Sequence, residues 1–373
     1  MMTSDHFQHR LARTRAVMKA AGAELLLVDH AELMAWLGGY TASETLYRVL
    51  LVPLEGEPWY VIRNLDIGPC RQSSWVEDIQ GYDDHEDGWL EVINSIKSRG
   101  YTEANIGFDP HSYGCTVESW SRLRQGLPLT RWASLPGISD RLRQIKETLE
   151  IGYLERAARI ADESLMAIHQ QIRLGDSARE AAAIAAGHFL RAGADNGDTG
   201  PIVRAAGDNA FLHSHQLDDA LQTGDVLHVE LIPKVKNYSA RVMRPIHMGQ
   251  PSLTLQHFSK ELIRLQDAQI AAMKPGETAC DIDAMLREGV LKAGLRESYT
   301  NVTGYALGLY ARTPRLSDFS YCFHPKAHWT LEENMVFHMY VSAGRLGFSE
   351  TVQVTPEGGK RLTQLPRELM WVG

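Results

Sequence analysis

At 373 residues the chain exceeds what one hydrophobic core ordinarily supports, so two domains are expected. Its composition, 44% hydrophobic and 23% charged, is that of a globular enzyme rather than a disordered or fibrous chain. A net charge of −8 with no clustered run of Lys and Arg argues against nucleic acid, and no apolar run approaches the roughly 20 residues of a membrane span.

The opening MMTSDHFQHRLARTR is basic, but no apolar stretch follows it, so no secretory signal is expected. His6 to Ala21 has the spacing of an amphipathic helix. Three short apolar runs follow as strands: Glu24 to Val28, Tyr47 to Pro53, and Trp59 to Arg63, the last two separated by a Gly- and Pro-containing turn. Trp89 to Arg99 reads as a helix and Ile106 to Asp109 as a further buried strand, which together make an α/β domain. Ala133-Ser134-Leu135-Pro136-Gly137 is a breaker cluster, taken as the linker, so the domains are expected at 1–136 and 137–373. Ser139 or Asp140 is placed to cap a short helix after it.

From Lys146 the pattern changes. Glu147 to Ile172 and Ser177 to Ala192 are long amphipathic helices, followed by strands around Glu230 and Tyr238. Helices at Ser259 to Met273 and Asp281 to Gly294 come next, then strands at Met335 to Val341 and Thr351 to Thr355. Helices laid over antiparallel strands give an α+β class. Four cysteines, Cys70, Cys115, Cys280 and Cys322, are widely spaced without a CxxC pair and read as free thiols in a reducing, cytoplasmic setting.

Certain residues stand out chemically. Glu230 is an acid inside the apolar strand Leu227-His228-Val229-Glu230-Leu231, where a charge must be paired or functional because its unpaired burial is costly. His213 is a candidate because a histidine titrates near neutrality, as a general acid or base must. His215 and His228 read as structural. His338 lies one period of alternation from Tyr340 and shares its face of a strand. Trp36 and Tyr40 have the spacing of core residues.

Gly224-Asp225-Val226-Leu227-His228-Val229-Glu230 through Tyr238-Ser239-Ala240-Arg241 resembles the central hairpin of the pita-bread peptidases of family M24, which include methionine aminopeptidase, prolidase and creatinase. The N-terminal segments Leu26-Leu27-Val28 and Met34 to Tyr40, with the Arg143-Gln144-Ile145-Lys146 entry, are similar to the creatinase/prolidase pattern. The resemblance implies a pita-bread catalytic domain behind a smaller α/β creatinase-like domain. Metal-binding members place aspartates where Glu230 and Arg241 stand. Tyr305 stands for a metal histidine in Gly304-Tyr305-Ala306-Leu307-Gly308, Tyr340 for a glutamate, and Ser349 for the last glutamate, with Glu350 next door. A slip of one residue would make Glu350 that carboxylate. Arg312 falls where prolidases keep a further histidine. The resemblance also implies a substrate-facing histidine at His213, eleven residues before Gly224.

A guanidinium does not release its proton in a protein, so Arg241 is no metal ligand. Its charge about 4 Å from a dication would cost roughly 8 kcal/mol at an effective dielectric near 20. The pattern of loss is similar to the metal-free branch, creatine amidinohydrolase and ectoine hydrolase. It implies hydrolysis of a non-peptide C–N bond in a small amidine- or guanidine-type zwitterion with no metal or other cofactor. In that reading His213 is the acid and base, and Glu230 and Glu350 hold the cation, or Glu230 attacks as nucleophile. Tyr305, Tyr340, His338, Arg241 and Arg312 would bind substrate. Arg241 reads equally as the salt-bridge partner of Glu230, and the two tyrosines as filling the volume of lost metal ions. The resemblance also implies a homodimer in which the partner's N-terminal domain approaches the active site. The rival readings are a metal-dependent Xaa-Pro aminopeptidase or prolidase, and a non-catalytic pita-bread binding protein.

Overall fold

The computed structural model describes the chain except residues 1–3, 41–44, 208–209, 215–216 and 311–317, and the side chains of 4, 210, 318 and 319. Two compact units result. Among the described residues the first takes those up to Arg143 together with Leu309 and Tyr310, and the second Gln144–Gly308 and those from Asp318 to Gly373.

The first unit holds α1 (Ser4–Ala20), β1 (Leu25–Val28), α2 (Ala31–Gly38), β2 (Val49–Pro53), β3 (Trp59–Arg63), α3 (Asn64–Ser73), β4 (Asp78–Tyr82), α4 (Gly88–Ser98), β5 (Asn105–Phe108), α5 (Val117–Gly126), β6 (Arg131–Ser134) and α6 (Ile138–Arg143). Its mixed sheet runs β4-β3-β2-β1-β5-β6. The central strands are continuous apolar runs because both of their faces are buried. Leu26, Val28, Leu50, Val52, Tyr60 and Ile62 pack into one core. Leu25, Leu27, Val49, Leu51, Trp59 and Val61 pack into a second. Trp36 is fully buried in the first core and Tyr40 packs at its edge.

The units divide after Arg143 rather than at 136/137. Leu135, Ile138 and Leu142 belong to the first unit's core, and Arg143 donates to the Leu309 carbonyl at 3.1 Å. The breaker cluster is therefore the end of β6 and the turn that follows it, inside that unit. Ser139 and Asp140 lie within α6 rather than capping it.

The second unit contains α7 (Thr148–Gln171), α8 (Ala178–Ala192), β7 (Ile202–Arg204), a 3-10 turn at Ala210–His213, β8 (Val226–Leu231), β9 (Lys234–Val235), β10 (Tyr238–Ser239), β11 (Val242–Met248), α9 (Leu253–Ala271), α10 (Ala279–Lys292), β12 (Gly304–Ala306), β13 (Asp318–Phe323), β14 (Val336–Ala343), β15 (Leu346–Thr355), β16 (Gly358–Arg361) and β17 (Met370–Val372). A helix pair followed by antiparallel strands occurs twice in this order. Capping boxes start both helices of the first pair, Glu147 with Glu150 and Ser177 with Glu180, and Gly193 closes α8 in the left-handed region.

The main sheet runs β13-β12-β14-β15-β11-β8-β7, with β16 on β15 and β17 on β11. Two tight turns set hairpin registers, one in the separate two-stranded sheet of β9 and β10 and one in the main sheet. Lys236 and Asn237 both adopt positive φ between β9 and β10, and their amides are held by Asp195 at 3.0 and 2.6 Å. Gly344 and Arg345 do the same between β14 and β15. Two consecutive left-handed residues suit the right-handed twist of the strands they join. Among the described residues no helix is long and apolar enough to cross a membrane.

Candidate functional site

Strand pairing decides which side chains share a face. Glu230 lies opposite Met243, Met243 opposite Ser349, and Ser349 opposite Tyr340. One step along, Thr351 lies opposite His338, and His338 opposite Tyr305. Residues directly opposite, or two apart on one strand, point the same way. Glu230, Ser349, Tyr340, His338 and Tyr305 therefore meet on one face, and Arg241 reaches over it from the start of β11.

Arg241 organises the cluster. Its Nη1 donates to Glu230 Oε1 at 2.9 Å and to the Tyr305 phenol oxygen at 2.9 Å. Its backbone is clamped at both polar atoms by Thr351, whose hydroxyl accepts from the Arg241 amide and donates to the Arg241 carbonyl, each at 2.8 Å. Glu230 Oε2 takes no hydrogen bond among the described residues. Burial pushes the Glu230 carboxyl above its ordinary value while Arg241 pulls it back, and a charge on His213 would lower it further. His213 itself ends the 3-10 turn and is exposed.

The aromatic wall is buried. Tyr305 meets His338 edge-on at 5.0 Å, and His338 stacks on Tyr340 at 5.4 Å. Asn301 donates to the Tyr340 phenol at 3.2 Å. Burial raises both phenols, Tyr340 to about 12, so both are protonated at neutral pH. Burial and the nearby Arg241 push His338 well below the usual histidine range, so it is neutral. Neither ring nitrogen of His338 or His228, nor the Ser349 hydroxyl, has a partner among the described residues. His228 is held neutral by burial, down to about 3, under Phe211.

Glu350 requires a correction. It lies on the opposite face, fully buried, and does not join Glu230. Arg244 and Arg367 hold its Oε1 at 2.6 and 2.8 Å, and Thr363 donates to its Oε2. Its oxygens are committed to a structural arginine cage, so it cannot hold a substrate cation. Ser349, and not Glu350, faces the cluster. Arg312 and His215 lie outside the described residues. Thr351 and Asn301 were missed from sequence. Thr351 carried a signal in its period of two from Ser349, whereas Asn301 sits in an irregular loop and carried none.

A buried acid, a fixed cation, neutral phenols and an exposed histidine suit binding and proton transfer at a polar C–N group. They do not suit a dinuclear metal centre. The guanidinium stands among the donors, and no group of three His, Cys, Asp or Glu among the described residues is arranged to hold a metal ion.

Two domains, one a mixed α/β sheet and one α+β with this inward-facing cluster, define the class. Residues 152–356 match the model for metallopeptidase family M24, and residues 10–145 match the creatinase/prolidase N-terminal domain. The chain belongs to family M24, a family of hydrolases, with a creatinase-like first domain and a pita-bread second domain. It is 24% identical to an ectoine hydrolase of Halomonas elongata over 98% of this chain and 97% of that one. It is 28% identical to an Xaa-Pro dipeptidase of Pyrococcus furiosus over 61% of this chain and 66% of that one. Its fold is similar to that of the prolidase of Thermococcus sibiricus, with a TM-score of 0.85 at 22% identity, covering 100% of each chain.

Proposed function

We propose that this chain is a metal-independent hydrolase of a non-peptide C–N bond in a small amidine- or guanidine-type zwitterion. The observation that carries the reading is the Arg241 guanidinium, bonded to Glu230 and Tyr305 where the pattern of metal-binding members would place an aspartate. An amidinium substrate brings its own positive charge, so its carbon is electrophilic without a Lewis acid. Glu230 Oε2 receives the substrate N–H in a charge-assisted hydrogen bond. His213 takes a proton from the attacking water and returns it to the leaving nitrogen. Arg241 draws charge from the Glu230 carboxylate, which favours the holding role over nucleophilic attack. Tyr305 and Tyr340, kept protonated, line the far wall and orient the substrate. A cytoplasmic homodimer, with the partner's N-terminal domain approaching this cluster, is part of the proposal.

The similarity to Xaa-Pro dipeptidases supports a second reading, a metal-dependent peptidase, equally well by identity. One experiment separates them. Protein purified without chelator is analysed by elemental mass spectrometry, then assayed on cyclic and acyclic amidines and on Xaa-Pro dipeptides with and without manganese. Metal-free protein that turns over an amidine, and loses that turnover in His213→Ala with its melting temperature unchanged, is the expected result. Manganese-stimulated cleavage of Xaa-Pro peptides would overturn it in favour of the peptidase.

A further inference from the structure

We propose that the first unit carries a small-molecule site of its own, a cavity at the carboxyl ends of β1 and β5 that takes an organic cation, a protonated amine on an apolar body. The site lies wholly within the first unit and does not rest on the proposed function.

Topology marks the place. β1 and β5 are parallel neighbours in the order β4-β3-β2-β1-β5-β6. From β1 the chain leaves through α2, whose Leu33, Met34 and Leu37 pack in one core. From β5 it leaves through α5, whose Leu123 packs in the other. The two connections part to opposite faces, and an open α/β sheet has its binding crevice outside the strand ends at such a point. A cavity of about 540 Å³ lies there, a volume that suits a small organic molecule. Asp29 follows β1, Tyr47 and Arg48 precede β2, Glu86, Asp87 and Trp89 follow β4, and Tyr113 and Glu118 follow β5, and all of them line it.

The walls are fixed by close backbone approaches. A Cβ at Gly114 would meet the Asp29 carbonyl oxygen at 2.7 Å, and one at Gly88 would meet the Tyr47 carbonyl oxygen at 3.0 Å. The Tyr82 phenol donates to that same Tyr47 carbonyl, and the Tyr47 ring stacks on Trp89 with centroids 5.6 Å apart.

Charge selects the ligand. Asp29 and Arg48 are both more than nine-tenths buried, and the Tyr47 phenol donates to Asp29 Oδ2 at 3.3 Å. Asp87 and Glu118 share Arg122, at 2.7 and 3.1 Å, and Glu86 accepts the Asp83 amide at 2.6 Å. With Arg122 counted beside Arg48, the carboxylates around the cavity still exceed the guanidiniums by two. A concave surface of one sign concentrates ions of the other. Burial raises the Asp29 carboxyl above its ordinary value while Ser112 and Arg48 pull it back, and a cation beside it favours the charged form further. Tyr47, Trp89 and the half-exposed Tyr113 supply apolar surface for the rest of the ligand.

The test titrates the full chain by calorimetry with three probes on a shared hydroxyphenyl body: tyramine, tyrosol and hydroxyphenylacetate, which are cationic, neutral and anionic. Wild type is expected to bind tyramine about tenfold more tightly than tyrosol, and the anion least. A double variant, Glu86→Gln with Glu118→Gln, keeps both acceptors, removes two exposed charges and is expected to bring that ratio below about threefold. Asp29→Asn is expected to weaken tyramine and leave tyrosol unchanged; if it folds poorly, the double variant still decides. Glu230→Gln, in the second unit, is expected to bind tyramine as wild type does. No binding of tyramine, or equal affinity for the three probes, would overturn the site. So would tyramine binding that is lost in Glu230→Gln and kept in the first-unit variants.

Discussion

Ser349 and Glu350 are neighbours in sequence that face opposite sides of one sheet, and that single alternation separates a site residue from a structural one. Glu350 sits among Arg244, Arg361 and Arg367, with Arg244 fully buried beside it. Removing one partner of such a cage strands the remaining charges. Glu350→Gln is expected to cost about 3–5 kcal/mol of stability, read by urea denaturation, while the variant that stays folded keeps its turnover number. A loss of turnover with stability intact would place Glu350 back in the chemistry. Glu230, on the other face, carries the opposite expectation under the proposed function.

At the scale of elements, the hairpin turns hold the cluster in register. The turn at Gly344 and Arg345 fixes Tyr340 opposite Ser349, and a shift of one residue would rotate His338 and Tyr340 out of the cluster. Gly344 has φ of 55°, and a Cβ there would meet the Phe258 ring at 2.9 Å. Gly344→Ala is therefore expected to destabilise by about 1–2 kcal/mol through the left-handed backbone, seen as a lower melting temperature. An unchanged melting temperature would mean that the turn does not constrain the register. The companion turn at Lys236 and Asn237, held by Asp195, sets the chain's return toward Arg241 in the same way.

At the scale of the whole chain, the segment after β16 ties α7 to the arginine cage. Asp162 on α7 accepts from the Gln364 amide at 2.6 Å. Burial, with the negative Glu350 nearby, pushes its carboxyl up to about 6. A carboxyl whose folded value lies above its unfolded one binds its proton more tightly in the folded state. Its contribution to stability is full below the unfolded value near 4 and is lost as pH rises through about 6. Asp162→Asn keeps the acceptor and is expected to remove that slope and raise stability at neutral pH. Denaturation curves between pH 4 and pH 7 that run parallel for wild type and variant would refute the shift.

Glu230, Arg241, Tyr305, Tyr340 and Ser349, which the structure gathers on one face, were singled out from their order and spacing along the chain. The apolar runs of β1, β2 and β3 were legible because a strand buried on both faces must be apolar throughout. Strand β4, with its polar run Asp78-Ile79-Gln80-Gly81-Tyr82, and the short helices α2, α3 and α5 were not, since their residues carry too little periodicity to be separated from loops. The sequence by itself determined the two-domain α+β class and the family resemblance that goes with it. The tertiary structure alone decided that Ser349 and not Glu350 faces inward, that Arg241 takes one oxygen of Glu230, and that α6 belongs to the first unit. Facing and pairing depend on strand register and on side chains far apart in the chain, and no local pattern of residues encodes either.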